Sequence, residues 1–227
     1  MTEEEWWAVK APAPVALEFL RGKATDRKLR LFAAACCRHV WHLLPGELCR
    51  DAVDFAEDVA EGLATETDQR KAAFFRYYSR PGTSRWVHNA IGATLGAPPF
   101  LAAKFGSRNA ANLAIAGIPI RAAETTKTNP DWQQAMRVEL SAQVPFLHCI
   151  FGPLPFRKIE ISPSWQNSTV RQLAEGIYSE RAFDRMPILA DALQDAGCDN
   201  ADILAHCRGD GPHVRGCWVV DLLLGKE

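Results

Sequence analysis

SERAFDRMPILADALQDAGCDNADILAHCRGDGPHVRGCWVVDLLLGKE, residues 179–227, is the stretch whose reading decides the fold. Ile188, Leu189, Ala192 and Leu193 recur at helical spacing. Pro187 falls in the first turn, where its missing N–H costs nothing, and Gly197 stands where a helix needs a left-handed residue to stop. Asp199 is a natural N-cap for a short helix over Ala201–Cys207. The loop Arg208-Gly209-Asp210-Gly211-Pro212 breaks that helix, and Val214 to Leu224 is expected to resume it until Gly225. Trp218, Val219, Leu222 and Leu223 are too apolar to leave in water, at roughly 1.5–3 kcal/mol for each large side chain buried. The segment therefore reads as helical and packed.

Working outward, the remaining pattern is also helical. Thr2 and Glu5 stand at capping-box spacing ahead of Trp6 and Trp7, so a short first helix packing by its tryptophans is expected. A second, about Ala13 to Arg21, ends at Gly22. Thr25 caps the clearest helix, TDRKLRLFAAACCRHVWHLL, with Leu29, Phe32, Cys36, Val40 and Leu43 on one stripe and Arg27, Arg30 and Arg38 opposite. After Pro45-Gly46, a helix over Glu47–Leu63 places Leu48, Ala52, Phe55, Ala56, Val59 and Leu63 inward and carries Asp51, Asp54, Glu57, Asp58 and Glu61. A basic helix followed by an acidic one predicts an antiparallel hairpin whose flanks attract.

Thr65 opens an aromatic-rich helix toward Ser79. Trp86 to Ile120 carries charge only at Lys104 and Arg108, between Arg85 and Arg121, and reads as two weakly amphipathic helices broken at Pro98-Pro99 and Gly117 to Pro119. Asn129 and Pro130 open a helix to about Ile150 that Pro145 bends. Gly152 to Trp165, with Pro153, Pro155 and Pro163, is an extended connector holding the short alternating run Arg157–Ile161. The expected fold is thus all-α, a multi-helix globular bundle of seven to ten helices: an N-terminal region 1–151 with a divergent Ala/Gly-rich middle, a Pro-rich connector 152–166, and a C-terminal block 167–227 packed on the first region as one unit.

Three of these stretches also carry a resemblance. FLRGKATDRKLRLFAAACCRHVWHLL (Phe19 to Leu44) and IYSERAFDRMPILADALQDAGCDNADILAHCRGDGPHVRGCWVVDLLLGK (Ile177 to Lys226) resemble a family of highly paralogous bacterial proteins, and FLHCIFGPLPFRKIEISPSW (Phe146 to Trp165) is similar to its connector. The resemblance implies a shared helical frame with a divergent middle. It supplies no catalytic residue.

Composition bounds the function. A net charge of −1, 48% hydrophobic and 23% charged residues describe an ordinary globular chain with no bulk field to draw nucleic acid or membrane. The acidic start MTEEEWWAVK is unlike a secretory leader, and seven cysteines is an odd number, so reduced thiols and a cytoplasmic location are expected. Trp86 to Ala103 is the longest stretch without charge, and His88, Asn89 and two prolines make it a poor membrane span.

Four places offer chemistry. Cys207, His213 and Cys217 follow one another as C-x5-H-x3-C, with His206 adjacent and Cys198 upstream, and thiolates with imidazoles are what tetrahedral zinc takes. The spacing lacks the close C-x2-C knuckle, and buried apolar thiols are the competing reading. Cys36, Cys37 and His39 invite a thiol-nucleophile reading, but a mid-helix cysteine has no helix N-terminus or facing cation to lower its pKa. Arg208 and Arg215, in a glycine-rich loop ahead of a helix, could hold an anion or a partner. Arg27, Arg30 and Arg38 with Arg76, Arg80 and Arg85 offer cations to nucleic acid, which the acidic partner helix disfavours.

With no hydrolase, nuclease or nucleotide motif, the leading expectation is a non-enzymatic, cytoplasmic protein-interaction or adaptor module. Its unknown protein partner would meet an apolar patch in Trp86 to Ile120, for which buried core is the rival reading. A zinc-type sensor or small enzyme using Cys207, His213 and Cys217 is the alternative, and a nucleic-acid-binding accessory protein the second.

Overall fold

Capping chemistry sets the first helices. In this computed structural model, which describes residues 1–8, 12–44, 46–65, 98–115 and 130–226, Thr2 and Glu5 close the expected capping box on α1 (Glu3–Trp7). Trp6 is buried while Trp7 is 45% exposed, so one tryptophan does the packing. Next come α2 (Ala13–Leu20), α3 (Asp26–His39, N-capped by Thr25) and α4 (Gly46–Ala60). They are followed by α5 (Pro99–Ile115), α6 (Pro130–Ala142) and α7 (Val144–Phe151). The last four are α8 (Ser168–Glu180), α9 (Met186–Asp195), α10 (Ala201–Arg208) and α11 (Trp218–Leu224). Short 3-10 turns complete the set, and the described residues contain no strand, so the fold is an all-α multi-helix bundle. The expected helix from Thr65 to Ser79, the first helix of the Trp86–Ile120 stretch, and Arg76, Arg80 and Arg85 lie outside the described residues.

The chain divides into two compact units, Met1–Val144 and Pro145–Glu227. In the first, α3 packs along both α5 and α4, and α5 along α6. Small residues permit the close approach: Ala33, Ala34, Cys36 and Cys37 on α3, and Ala102, Ala103, Gly106, Ser107, Ala110 and Ala111 on α5, are buried. The described part of the Ala/Gly-rich middle is therefore largely interior. A buried polar knot ties these helices together. Ser107 Oγ donates to Gln143 Oε1 at 2.6 Å, Gln143 Nε2 donates to the Ser107 carbonyl at 3.2 Å, and the Cys36 thiol donates to Gln143 Oε1 at 3.4 Å. Gln143 stands between α6 and α7, so the single bent helix expected over this stretch is two helices. Pro145 explains the break, because its ring clashes with the carbonyl four residues back and it donates no hydrogen bond.

The basic and acidic helices do form an antiparallel pair. Arg38 Nε donates to Glu57 Oε1 at 2.5 Å and its guanidinium also binds Asp54, while Arg27 reaches Glu61 at 2.9 Å near the other end. The inward face of α4 differs from expectation: Cys49, Val53 and Glu57 are buried beside Ala52 and Ala56, whereas Leu63, past the helix end, is 67% exposed. Glu57 is the decisive member, with a side chain only 2% exposed. Arg38→Ala removes the guanidinium that binds this buried carboxylate. We expect a loss of about 2–3 kcal/mol, below the range for a fully buried pair because part of the arginine stays in water. Denaturant midpoints at constant slope measure it, and adding Glu57→Gln should recover part of the loss; an unshifted midpoint for Arg38→Ala would contradict this account.

In the second unit α8 packs on α9 and α11, and α10 on α9 and α11, around Ile177, Met186, Leu189, Leu193, Ile203, Trp218 and Val219. Asn167 caps α8, accepting from Val170 N at 2.9 Å. The connector is not extended throughout: residues 152–157 turn, with Phe156 N and Arg157 N donating to the Pro153 carbonyl, and Pro163–Trp165 form a 3-10 turn, while the alternating run Arg157–Ile161 forms no strand. Trp165 Nε1 fastens it to the Gly197 carbonyl at 3.1 Å and Arg157 to Asp202 at 2.7 Å. Two details of the C-terminal block are corrected. Asn200, not Asp199, caps α10, its Oδ1 accepting from Asp202 N and Ile203 N. The last helix begins at Trp218 rather than Val214, because Gly216 at φ 89° and a turn closed by Cys217 N on the Val214 carbonyl hold residues 214–217 out of helix.

Candidate metal centre

That non-helical turn brings ligands together. Cys149 comes from α7, His206 from the last turn of α10, His213 from the loop after it, and Cys217 from the residue that opens α11. Their four donor atoms all lie within 4.8 Å of one another, the single such cluster among the described residues. His206 Nε2 is 3.2 Å from Cys217 Sγ, and His213 Nδ1 is 3.9 Å from Cys149 Sγ. Zinc bonds of about 2.3 Å to sulfur and about 2.05 Å to nitrogen, set tetrahedrally, put S and N about 3.6 Å apart and the two sulfurs about 3.8 Å apart. The two measured S···N separations bracket that value. Closing the widest pair takes a contraction of about 1 Å.

The surroundings orient the donors. With its proton on Nε2, His213 donates to the Gly209 carbonyl at 3.3 Å, which leaves the Nδ1 lone pair pointing at Cys149. Val214 N donates to Cys149 Sγ at 3.4 Å, a bond that stabilises thiolate character. The imidazoles of His206 and His213 meet edge to face at 4.8 Å, and the Trp218 indole packs 5.3 Å from His206. Burial pushes the Cys217 thiol up, but hydrogen bonding with Cys149 and the charge and hydrogen bonds of His206 and His213 outweigh it and hold Cys217 well below the usual thiol range. A lowered thiol is in keeping with a cation site, whose cysteine ligands bind as thiolates.

The other expected ligands are placed elsewhere. Cys207 is fully buried in the second unit's core, where burial pushes its thiol far up, and Cys198 is buried nearby with its thiol also raised by burial. Neither joins the four-atom cluster. On α10, Cys207 and His206 are adjacent and so point about 100° apart: the imidazole faces the cluster and the thiol faces the core. Cys149 was missed because it lies 57 positions before His206 inside the apolar run FLHCIF, with no local spacing to mark it.

The remaining candidates are committed to other contacts. Arg208 binds Asp191 Oδ1 at 2.9 Å and Gln194 Oε1 at 2.6 Å, and Arg215 lies over the Tyr178 ring at 5.2 Å. The helix they precede begins only at Trp218 and has seven residues. Cys36 and Cys37 are buried; burial holds the first well above the ordinary thiol range and the second at about 12, and His39 pairs with Glu139 at 3.0 Å. No thiolate nucleophile is available there. No described helix is long and apolar enough to cross a membrane. No protein-family profile, curated protein or solved structure matches the chain.

Proposed function

We propose that the second unit is a zinc-stapled helical module, with Cys149, His206, His213 and Cys217 as the ligands. The convergence of two thiols and two imidazoles from α7, α10 and the turn before α11, within 4.8 Å, carries this reading. Two soft thiolates with two imidazoles match zinc better than the oxygen-seeking calcium or magnesium. Four protein ligands close a tetrahedron and leave no position for water or substrate, the mark of a structural rather than a catalytic metal. This favours the non-enzymatic interaction class over a small metalloenzyme: the metal fixes a helical frame, and any partner is met by the surface of that frame.

Elemental analysis of protein purified without a metal-binding tag tests it. One zinc per chain is expected. Cys149→Ser and His213→Ala should lose it, while Cys207→Ser and Cys198→Ser should keep it. Protein that takes up no zinc on titration sinks the proposal, and loss of zinc from Cys207→Ser with retention in Cys149→Ser would restore the ligand set read from local spacing.

A further inference from the structure

We infer that the site is also a peroxide-responsive zinc clasp, in which Cys149 and Cys217 join as a disulfide and the metal is released; this rests on the zinc reading above. Zinc has no redox chemistry of its own, so an oxidant can act only on its ligands. The two sulfurs lie within 4.8 Å of each other, and no other sulfur belongs to the cluster. Both are buried, at 2% and 1% exposure, but His206 and His213 are only partly so. The segment that carries His213 runs through Arg208, Gly209, Asp210, Gly211 and Pro212, all exposed. Peroxide, a molecule little larger than water, approaches from that exposed side.

The step balances with hydrogen peroxide as oxidant. One thiolate attacks a peroxide oxygen, the O–O bond breaks, and a sulfenic acid and hydroxide result. The second thiolate attacks the sulfenic sulfur and expels a second hydroxide as the S–S bond forms. Two thiolates thus lose two electrons, the peroxide gains them, two protons convert the hydroxides to water, and the zinc leaves as the divalent ion it was. Cys207 is the competing partner, since it lies close enough to Cys217 for their charges to interact. Its side chain is fully buried in the core, and its sulfur lies outside the four-atom cluster. The arrangement therefore selects Cys149.

The test starts from protein shown by elemental analysis to hold zinc, which separates failure of this inference from failure of the zinc reading: a chain that never loads refutes both. Loaded protein is treated with hydrogen peroxide beside a chromophoric zinc chelator, alkylated, and mapped by mass spectrometry without reduction. We expect release of one equivalent of zinc in step with a Cys149–Cys217 disulfide, and recovery of zinc binding after dithiothreitol. Cys207→Ala should release zinc at a rate within twofold of the parent. Zinc retained under peroxide, release with a Cys207–Cys217 disulfide, or release with sulfinic acid that dithiothreitol does not reverse would each overturn the inference.

Discussion

Removing zinc with a strong chelator is expected to lower the melting temperature of the second unit by about 10–20 °C when free zinc stood a hundredfold above its Kd. The size follows from linkage. A ligand that binds only the folded state at that excess contributes about 2.7 kcal/mol, and each kcal/mol moves the midpoint of a domain this small by about 4–8 °C. The effect should be large but short of complete unfolding, because the unit has a core of its own around Ile177, Met186, Leu189 and Trp218. What the proposed metal would add is closure of segments far apart in sequence: it would tie α7 to the turn before α11 across the connector and three helices. Cys217→Ser should reproduce the chelated state and make the melt insensitive to chelator. Cys207→Ser buries a hydroxyl in the core and should lower stability as well, yet its melt should still respond to zinc. Circular dichroism melts with and without chelator decide the matter; superimposable curves for the parent would mean that the four side chains hold no structural ion.

The contrast between those two cysteines shows what the sequence could and could not convey. Helical periodicity, caps and proline positions are local properties, and they located α1 through α4, α9 and α10 to within a few residues. His213 and Cys217 were legible because they share one short loop. The fourth ligand was not, since Cys149 is brought to the site by the packing of α7 and nothing in its neighbourhood distinguishes a ligand from a buried thiol. Cys207 was selected for the opposite reason. It has the right spacing along the chain and the wrong direction: next to His206 on the same helix it points about 100° away, into the core. The late start of α11 traces to a glycine, Gly216, whose left-handed backbone turns the expected start of a helix at Val214 into the turn that carries Cys217.

Gly152→Ala should be among the most damaging single-methyl changes the second unit can suffer. Gly152 ends α7 with φ 49°, a left-handed conformation that costs an L-residue roughly 1–2 kcal/mol. Space is the larger obstacle. A Cβ there would sit 2.5 Å from Trp218 Cδ1, 2.6 Å from its Nε1 and 2.7 Å from its Cγ, well inside contact distance of a rigid ring. The indole has nowhere easy to go, being 1% exposed and packed 5.3 Å from the His206 ring. Adding an overpacking cost of about 1–3 kcal/mol to the backbone strain gives a loss of about 2–5 kcal/mol. The displacement also passes directly to the metal centre, because Trp218 follows Cys217 in the chain and its ring flanks a second ligand. Zinc affinity should fall together with stability. Gly176→Ala supplies the comparison: that glycine lies inside α8 with nothing within 4 Å of a new Cβ, and the change should stabilise by about 0.5–1 kcal/mol through helix propensity alone. Chemical denaturation and competitive zinc titration of the two variants measure both quantities. If Gly152→Ala lost stability but kept full zinc affinity, the indole would yield without moving its neighbours, and the coupling between α7 and the ligands would run through Cys149 alone.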